Sequence, residues 1–248
     1  TVGMRIEDRT RTFIIAMERT VVPENFSFRM TDEEYRVLEK IKNSIPVCYL
    51  ADHADFALGI VTGNNKKFLS AEKTEHSEMV LKGTDICKYH INPVKQYLRF
   101  EPEQFQQVAP LEIYRAPEKL LYRFISNQLV VAYDDRQMLS LNSCNIVIPK
   151  IEGMQIKYIL AILNSSVSQF VYQKEFHSIK VLRAHMEHIP IPRVGKAIQN
   201  EIIAMTEPLI CGMGKEAAET CQKRLDCRIM DLFRLSAEEQ WIIRHALH

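Results

Sequence analysis

The chain has 248 residues, of which 46% are hydrophobic, enough to bury one large core or two modest ones and so to exclude a disordered chain. Its 32 lysines and arginines stand against 31 acidic residues, and a net charge of +1 excludes a global attraction to polyanions, so any anion binding must come from local segregation of charge. The six cysteines show no CxxC spacing and lie in apolar runs, the pattern of buried free thiols in a reducing compartment, so a cytoplasmic protein is expected. The sequence opens on Thr1, and the run FIIAM is too short to span a bilayer or serve as a signal sequence, so the chain reads as a piece of something longer.

In chain order, RTFIIAMER has the composition of a strand. TDEEYRVLEKIKNS predicts a short helix, with Thr31 and Glu34 at capping-box spacing and Val37, Leu38 and Ile41 on one face; it ends before Pro46. From there to Pro149 short β-rich runs dominate: FALGIVTG, VKQYLRF, KLLYRFI, QLVVAYD and MLSLNSCNIVIP, separated by Gly, Asn, Asp and Pro. The close spacing of the last three predicts an antiparallel meander. MQIKYILAILNSS and SVSQFVYQKEF predict two helices, Asn164 and Ser165 closing the first and capping the second. After HIPIPR the remainder predicts helix, with Ile202, Leu209, Met213, Ala217, Cys221, Leu225, Ile229 and Leu232 on one stripe, interrupted at Pro208, Gly212 and Gly214.

Catalytic chemistry is marked mainly by absences. No two prolines are adjacent, so the double-proline loop with which amino-methyltransferases hold a flipped base is missing. No Asp or Glu is followed two residues later by Lys, so half of a PD-(D/E)xK nuclease site is missing too. GMGK follows a helix and lacks the spacing of a phosphate loop, so it reads as a helix break. His185 and His188 lack a third ligand and read as a structural or solvated pair. Asp134 and Asp135 offer a divalent ion two carboxylates, but a turn explains them more simply.

Several stretches, in order, carry a resemblance: GIVTGNNKKFL, LKGTDICKYH, KQYLRF, PEKLLYRFISNQLVVAYDD, LSLNSCNIVIP, LAILNSSVSQFVY and KVLRAHMEHIPIP. Together they resemble the TaqI-like C-terminal specificity domain of adenine-specific DNA methyltransferases and type IIG restriction-modification enzymes. LDCRIMDLFRLSAEEQWII is similar to the helical ending that such proteins often carry, so the resemblance spans Pro46 to Ile243. It implies an α+β fold: an irregular, mostly antiparallel β-rich recognition domain with helices, followed by a C-terminal helical region. It also implies three parts, a connection from a catalytic domain over 1–45, a target recognition domain over 46–192 and a helical tail over 193–248. The implied function is to read a DNA target sequence without catalysis by these residues. S-adenosylmethionine would bind in the separate catalytic domain, leaving no cofactor in this chain. The implied partners are double-stranded DNA and a methyltransferase domain of the same polypeptide or a modification subunit.

With that resemblance, the glycine-bounded loop carrying Thr62, Asn64, Asn65, Lys66 and Lys67 is a candidate for base edges and phosphates, against a plain turn with Gly63 and Asn64 at positive φ. Lys82, Lys88, Arg115, Lys119, Lys174, His177, Ser178, Lys180 and Arg183 are candidates for a discontinuous DNA-binding face, although each alone also suits the solvated coat of a domain. Asn142, Ser143 and Asn145 are expected to serve neighbouring backbone. Tyr122, Phe124, Tyr133, Phe170 and Tyr172 are expected in the core. The alternative is a docking module that attaches to a separate modification subunit through Leu225, Ile229, Leu232, Phe233 and the Ser236/Glu239 capping box. A free-standing enzyme is the weakest reading, because no nucleophile, base and orienting group stand in a recognisable spacing.

Overall fold

The structure, a computed structural model, describes residues 3–7, 12–16, 30–176 and 178–247. An antiparallel hairpin, β1 (Gly3–Glu7) with β2 (Thr12–Ala16), supplies the strand expected in RTFIIAMER. Helix α1 (Asp32–Asn43) starts as its sequence requires: Glu34 N donates to Thr31 Oγ1 at 3.1 Å, and Thr31 N returns a bond to Glu34 Oε2 at 3.0 Å. Its apolar face, Val37, Leu38 and Ile41, is buried.

The β-rich part holds β3 (Val47–Cys48), β4 (Ala54–Ala57), a helical turn α2 (Asn65–Phe68), β5 (Leu69–Ser70), β6 (Ser77–Leu81) and β7 (Tyr97–Arg99). Then come α3 (Leu111–Tyr114), β8 (Lys119–Arg123), β9 (Val131–Asp134), β10 (Leu139–Ser140) and β11 (Cys144–Pro149). The central sheet has the order β4-β11-β8-β9 and is antiparallel throughout. A second sheet, β10-β6-β7-β5, is antiparallel except where β10 runs parallel to β6. Both faces of the central sheet are covered. Leu120, Tyr122, Val131, Tyr133 and Val147 enter the core beneath the helices, whereas Leu121, Ala132, Cys144 and Ile146 enter the core shared with the second sheet. That is why LLY and VVAY read as unbroken apolar runs.

The expected meander is corrected. β8 and β9 form a hairpin, but β11 pairs with the other side of β8. The outer edge of β9 is taken by other groups. Tyr89 N donates to Val131 O at 2.7 Å, and Tyr133 N donates to Tyr89 O at 3.0 Å. From the helical side, Val131 N donates to Asn164 Oδ1 at 3.1 Å and Asn164 Nδ2 donates to Val131 O at 2.8 Å. Gln169 repeats this at Leu129, accepting from its N–H and donating to its C=O, each at 2.9 Å.

The two amides come from α4 (Ile156–Asn164) and α5 (Ser166–Glu175), which meet at Ser165, the cap expected from the sequence; its hydroxyl accepts from Ser168 N. A short helix α6 (Arg183–Glu187) follows, then β12 (Ile191–Pro192), which pairs antiparallel with β3. The tail is α7 (Lys196–Cys211), α8 (Lys215–Leu232) and α9 (Ala237–Ala246). Its residues Ile202, Leu209, Leu225, Ile229, Phe233 and Ile243 are buried in the same core as α4 and α5, while Met213 and Ala217 of the expected stripe are exposed. Pro208 does not interrupt α7; the break falls at Gly212, whose φ of +79° suits glycine. The cysteines are only partly as expected. Cys48 and Cys144 are buried, but Cys211 and Cys227 are exposed, because they occupy the outer side of amphipathic helices.

A buried ion pair fixes the end of the β8–β9 hairpin. Lys119 Nζ lies 2.5 Å from Asp134 Oδ2, both side chains being 0% exposed, and also donates to Tyr114 O at 2.6 Å. The Asp134 carboxylate accepts from the N–H groups of Arg136 and Met138, at 2.8 and 2.9 Å, wrapping the turn into β10. Desolvation lowers the Lys119 pKa, partly opposed by Asp134.

Two stability predictions follow from these contacts. Asn164→Ala and Gln169→Ala should each lose roughly 2–4 kcal/mol in urea unfolding, since the first strands the Val131 N–H and the second the Leu129 N–H and C=O out of water. Lys119→Ala should lose about 3–5 kcal/mol, because it leaves the Asp134 charge buried and unpaired. An Lys66→Ala control at the exposed α2 should stay within about 0.5 kcal/mol of the parent.

Candidate nucleic-acid interface

The segment GIVTGNNKKFL is a helical turn rather than an open loop. Gly63 takes a positive φ of 74°, but Asn64 does not, lying at −149°. Its side chain instead caps α2, accepting from Lys67 N at 3.2 Å. Thr62 is 3% exposed and donates to Asn65 Oδ1 at 2.6 Å. Thr62 is therefore corrected from a base-reading candidate to an internal brace, because its hydroxyl is both buried and engaged. Asn64, Asn65, Lys66 and Lys67 are exposed. Lys67 Nζ donates to Gln104 Oε1 at 2.6 Å, while Lys66 has no carboxylate partner among the described residues.

The remaining cations divide sharply. Lys119 is corrected to a core residue by its buried pair with Asp134. Lys174 is corrected likewise: it is 8% exposed and its Nζ donates to Glu34 Oε1 at 2.7 Å, tying α5 to α1. Lys88 lies between the β-rich part and the tail, donating to Asn164 O at 3.0 Å, with desolvation lowering its pKa and the Asp226 charge opposing that shift. It lines a cavity of about 590 Å³ with Ser166, Asp226 and Arg244, and so is corrected from the DNA-facing set. Arg115 is spread over both oxygens of Glu78, at 2.8 and 2.6 Å, and donates to Gln137 O. Lys180 is exposed beside the Phe124 ring. Arg183 opens α6, is 61% exposed, pairs with Glu187 at 2.7 Å and lies 5.2 Å from the centre of the Phe56 ring. His177 lies outside the described residues.

Arg183 marks a groove of about 700 Å³, lined also by Asp55, Phe56, Leu58, Gln107 and Tyr122. Gln107 joins it to the α2 segment, because Val61 N donates to Gln107 O at 2.9 Å and Gln107 N returns a bond to Val61 O at 3.0 Å. Lys67 is tied to the same segment through Gln104, three residues before Gln107. Of the candidate cations only Arg183 lines this groove; Lys180 stands three residues before it in the sequence. Burial pushes the Tyr122 hydroxyl up to about 12, so it is a neutral donor and acceptor at the groove floor. Asp55 is paired with Lys150 at 2.6 Å.

Sequence reading missed Asp55, Phe56 and Gln107. The one available signal was the amide-rich EQFQQ between two prolines, which lies on no periodic element. The expected backbone roles are met by Ser143, which accepts from Gly83 N at 3.0 Å, and by buried Asn145, which accepts from Gly59 N at 3.2 Å. Tyr122, Tyr133, Phe170 and Tyr172 are buried as expected, whereas Phe124 is only half-buried. No cluster of His, Cys, Asp and Glu among the described residues is arranged to hold a metal ion.

Comparison with known proteins agrees with this architecture. The type IIL restriction-modification enzyme MmeI, solved in complex with DNA, is similar in fold over 81% of this chain and 35% of its own, with a TM-score of 0.55 and 10% identity. Weaker likenesses are to the type IIG restriction endonuclease BpuSI (TM-score 0.49, 12% identity, 96% of this chain and 35% of that one) and the HsdS subunit from Thermoanaerobacter tengcongensis (0.42, 14%, 87% and 50%). The chain thus spans between about a third and a half of each of these proteins. No curated protein matches it. The family model of the TaqI-like C-terminal specificity domain matches residues 78–191, from β6 through β12, and this segment is a specificity domain of that family.

Proposed function

We propose that the chain is the DNA target-recognition part of a restriction-modification DNA methyltransferase, and that it reads duplex DNA across the groove lined by Gln107, Tyr122 and Arg183. The observation that carries this reading is the distribution of cations. Among the candidates, Lys88, Lys119 and Lys174 lie in the core or beneath the tail and Arg115 is held by Glu78, while Lys66, Lys67, Lys180 and Arg183 remain exposed and Arg183 lines the groove. The lysines suit phosphates; the Arg183 fork and the Gln107 amide suit guanine and adenine edges. S-adenosylmethionine and the methyl-transfer chemistry belong to a separate catalytic domain, and a cytoplasmic setting goes with such a system. No described helix is long and apolar enough to cross a membrane. Docking to the methyltransferase part is a role for the tail, where Trp241 stacks on His245 and stays 58% exposed.

The chain should bind mixed-sequence duplex weakly, with a Kd of ~10⁻⁴ to 10⁻⁶ M typical of non-specific contacts. The K66A/K67A variant should weaken binding to all duplexes alike and flatten the slope of log K against log salt by up to roughly 2 units. Gln107→Ala should instead change preference among sequences by on the order of 1–3 kcal/mol. Fluorescence anisotropy across a salt series checks both, and a salt slope unchanged by the lysine substitutions would remove α2 from the interface. Incubated with labelled methyl donor and duplex, the chain should incorporate nothing above a buffer control and leave the DNA uncut.

A further inference from the structure

Three aliphatic side chains stand in solvent beside this groove: Ile125 at 53% exposure, Ile179 at 71% and Leu182 at 43%. Two loops carry them, and main-chain bonds lock the loops together. Ile125 forms an antiparallel bridge with Lys180, Ser126 N donates to Ile179 O at 2.9 Å, and Val181 N donates to Phe124 O at 2.8 Å. Beneath them Val181 is buried and the Tyr172 hydroxyl donates to Ser178 O at 2.9 Å. With their main chain held in this way, the loops keep the three aliphatic groups in solvent instead of folding them inward. Such a cluster is costly unless something covers it.

Charge and continuity identify the cover. Lys180, between Ile179 and buried Val181, has no carboxylate partner among the described residues and lies 6.0 Å from the centre of the Phe124 ring. Leu182 is followed directly by Arg183, the arginine of the groove. An apolar tip flanked by cations, continuous with a groove lined by base-reading groups, matches the way aliphatic side chains enter DNA between phosphate-bound cations. We propose that Ile125 and Ile179 form a wedge that enters duplex DNA at a base step and partly unstacks it, while Lys180 holds a phosphate alongside. The proposal rests on the DNA-recognition reading, and goes beyond it in assigning base contact to side chains that carry no hydrogen-bonding group.

The test uses the whole chain, a fluorescent duplex and a second duplex carrying 2-aminopurine at pyrimidine–purine steps. Binding should raise the 2-aminopurine fluorescence. The I125S/I179S variant should bind about tenfold more weakly, lose that rise and keep the parent's salt slope, because no phosphate contact is removed. K180A should show the opposite pattern, a flatter slope with the fluorescence rise retained. Both isoleucines are exposed, so the variant should keep the parent's thermal unfolding midpoint; Ile179→Ser alone serves if the double variant does not. Parent-like affinity in the serine variants, or parent binding without a fluorescence rise, would overturn the wedge while leaving DNA recognition intact, and would hand the apolar tip to a protein partner. Absence of any duplex binding by the parent would overturn both.

Discussion

Two side-chain amides hold this structure in register. Asn164, at the junction of α4 and α5, closes both hydrogen-bonding groups of Val131 on β9, and Gln169 of α5 closes those of Leu129 just before that strand, doing for that edge what a further strand would do. An unsatisfied sheet edge facing helices would leave polar groups stranded in an apolar layer. The same junction also receives the tail: Lys88 reaches the carbonyl of Asn164, and Asp226 of α8 accepts from Ser166 N at 2.9 Å. Sheet, helical layer and tail are thus aligned through three consecutive residues. A third buried amide, Gln199, extends the scheme by joining α7 to Gln155, Gly153 and Val194.

This arrangement explains what the sequence could and could not disclose. The capping boxes at Thr31 and Ser236, the Ser165 cap and the buried stripe of α8 depend on neighbours within one or two turns, so they were legible. Strand identity was legible for the same local reason. Strand order was not, because it depends on which groups occupy the edge of β9, and those come from residue 89 and from helices more than 30 positions away. Polar residues such as Asn164 and Gln169 inside a helical pattern look like members of a solvated face.

The candidate interface shows the same division. A lysine in a sequence carries no sign of its partner, and Lys174 finds Glu34 at a separation of 140 positions. Lys119 sits in an apolar strand, so a buried pair was the physically consistent alternative, but Asp134 had to be brought opposite it by the hairpin before that could be recognised. The groove joins Asp55, Gln107 and Arg183 from three separated segments, and no spacing rule links them. The near-zero net charge acquires a concrete meaning. Many charges are used internally or in surface pairs, so attraction to a polyanion depends on a few cations.

The amide closure of β9 has a consequence for how such a protein can change over generations. Because the sheet edge is satisfied by side chains from the helices, the hairpin tip at 124–128 and the facing segment at 178–182 are not required to complete the central sheet. Substitutions at the exposed positions of those tips, Ile125, Ile179, Lys180 and Leu182, leave the framework's hydrogen bonds intact, so they accumulate at little cost to folding. A molecule built this way separates what must be inherited from what is free to diversify: three amides preserve the scaffold, and the exposed tips are left open to drift toward new targets.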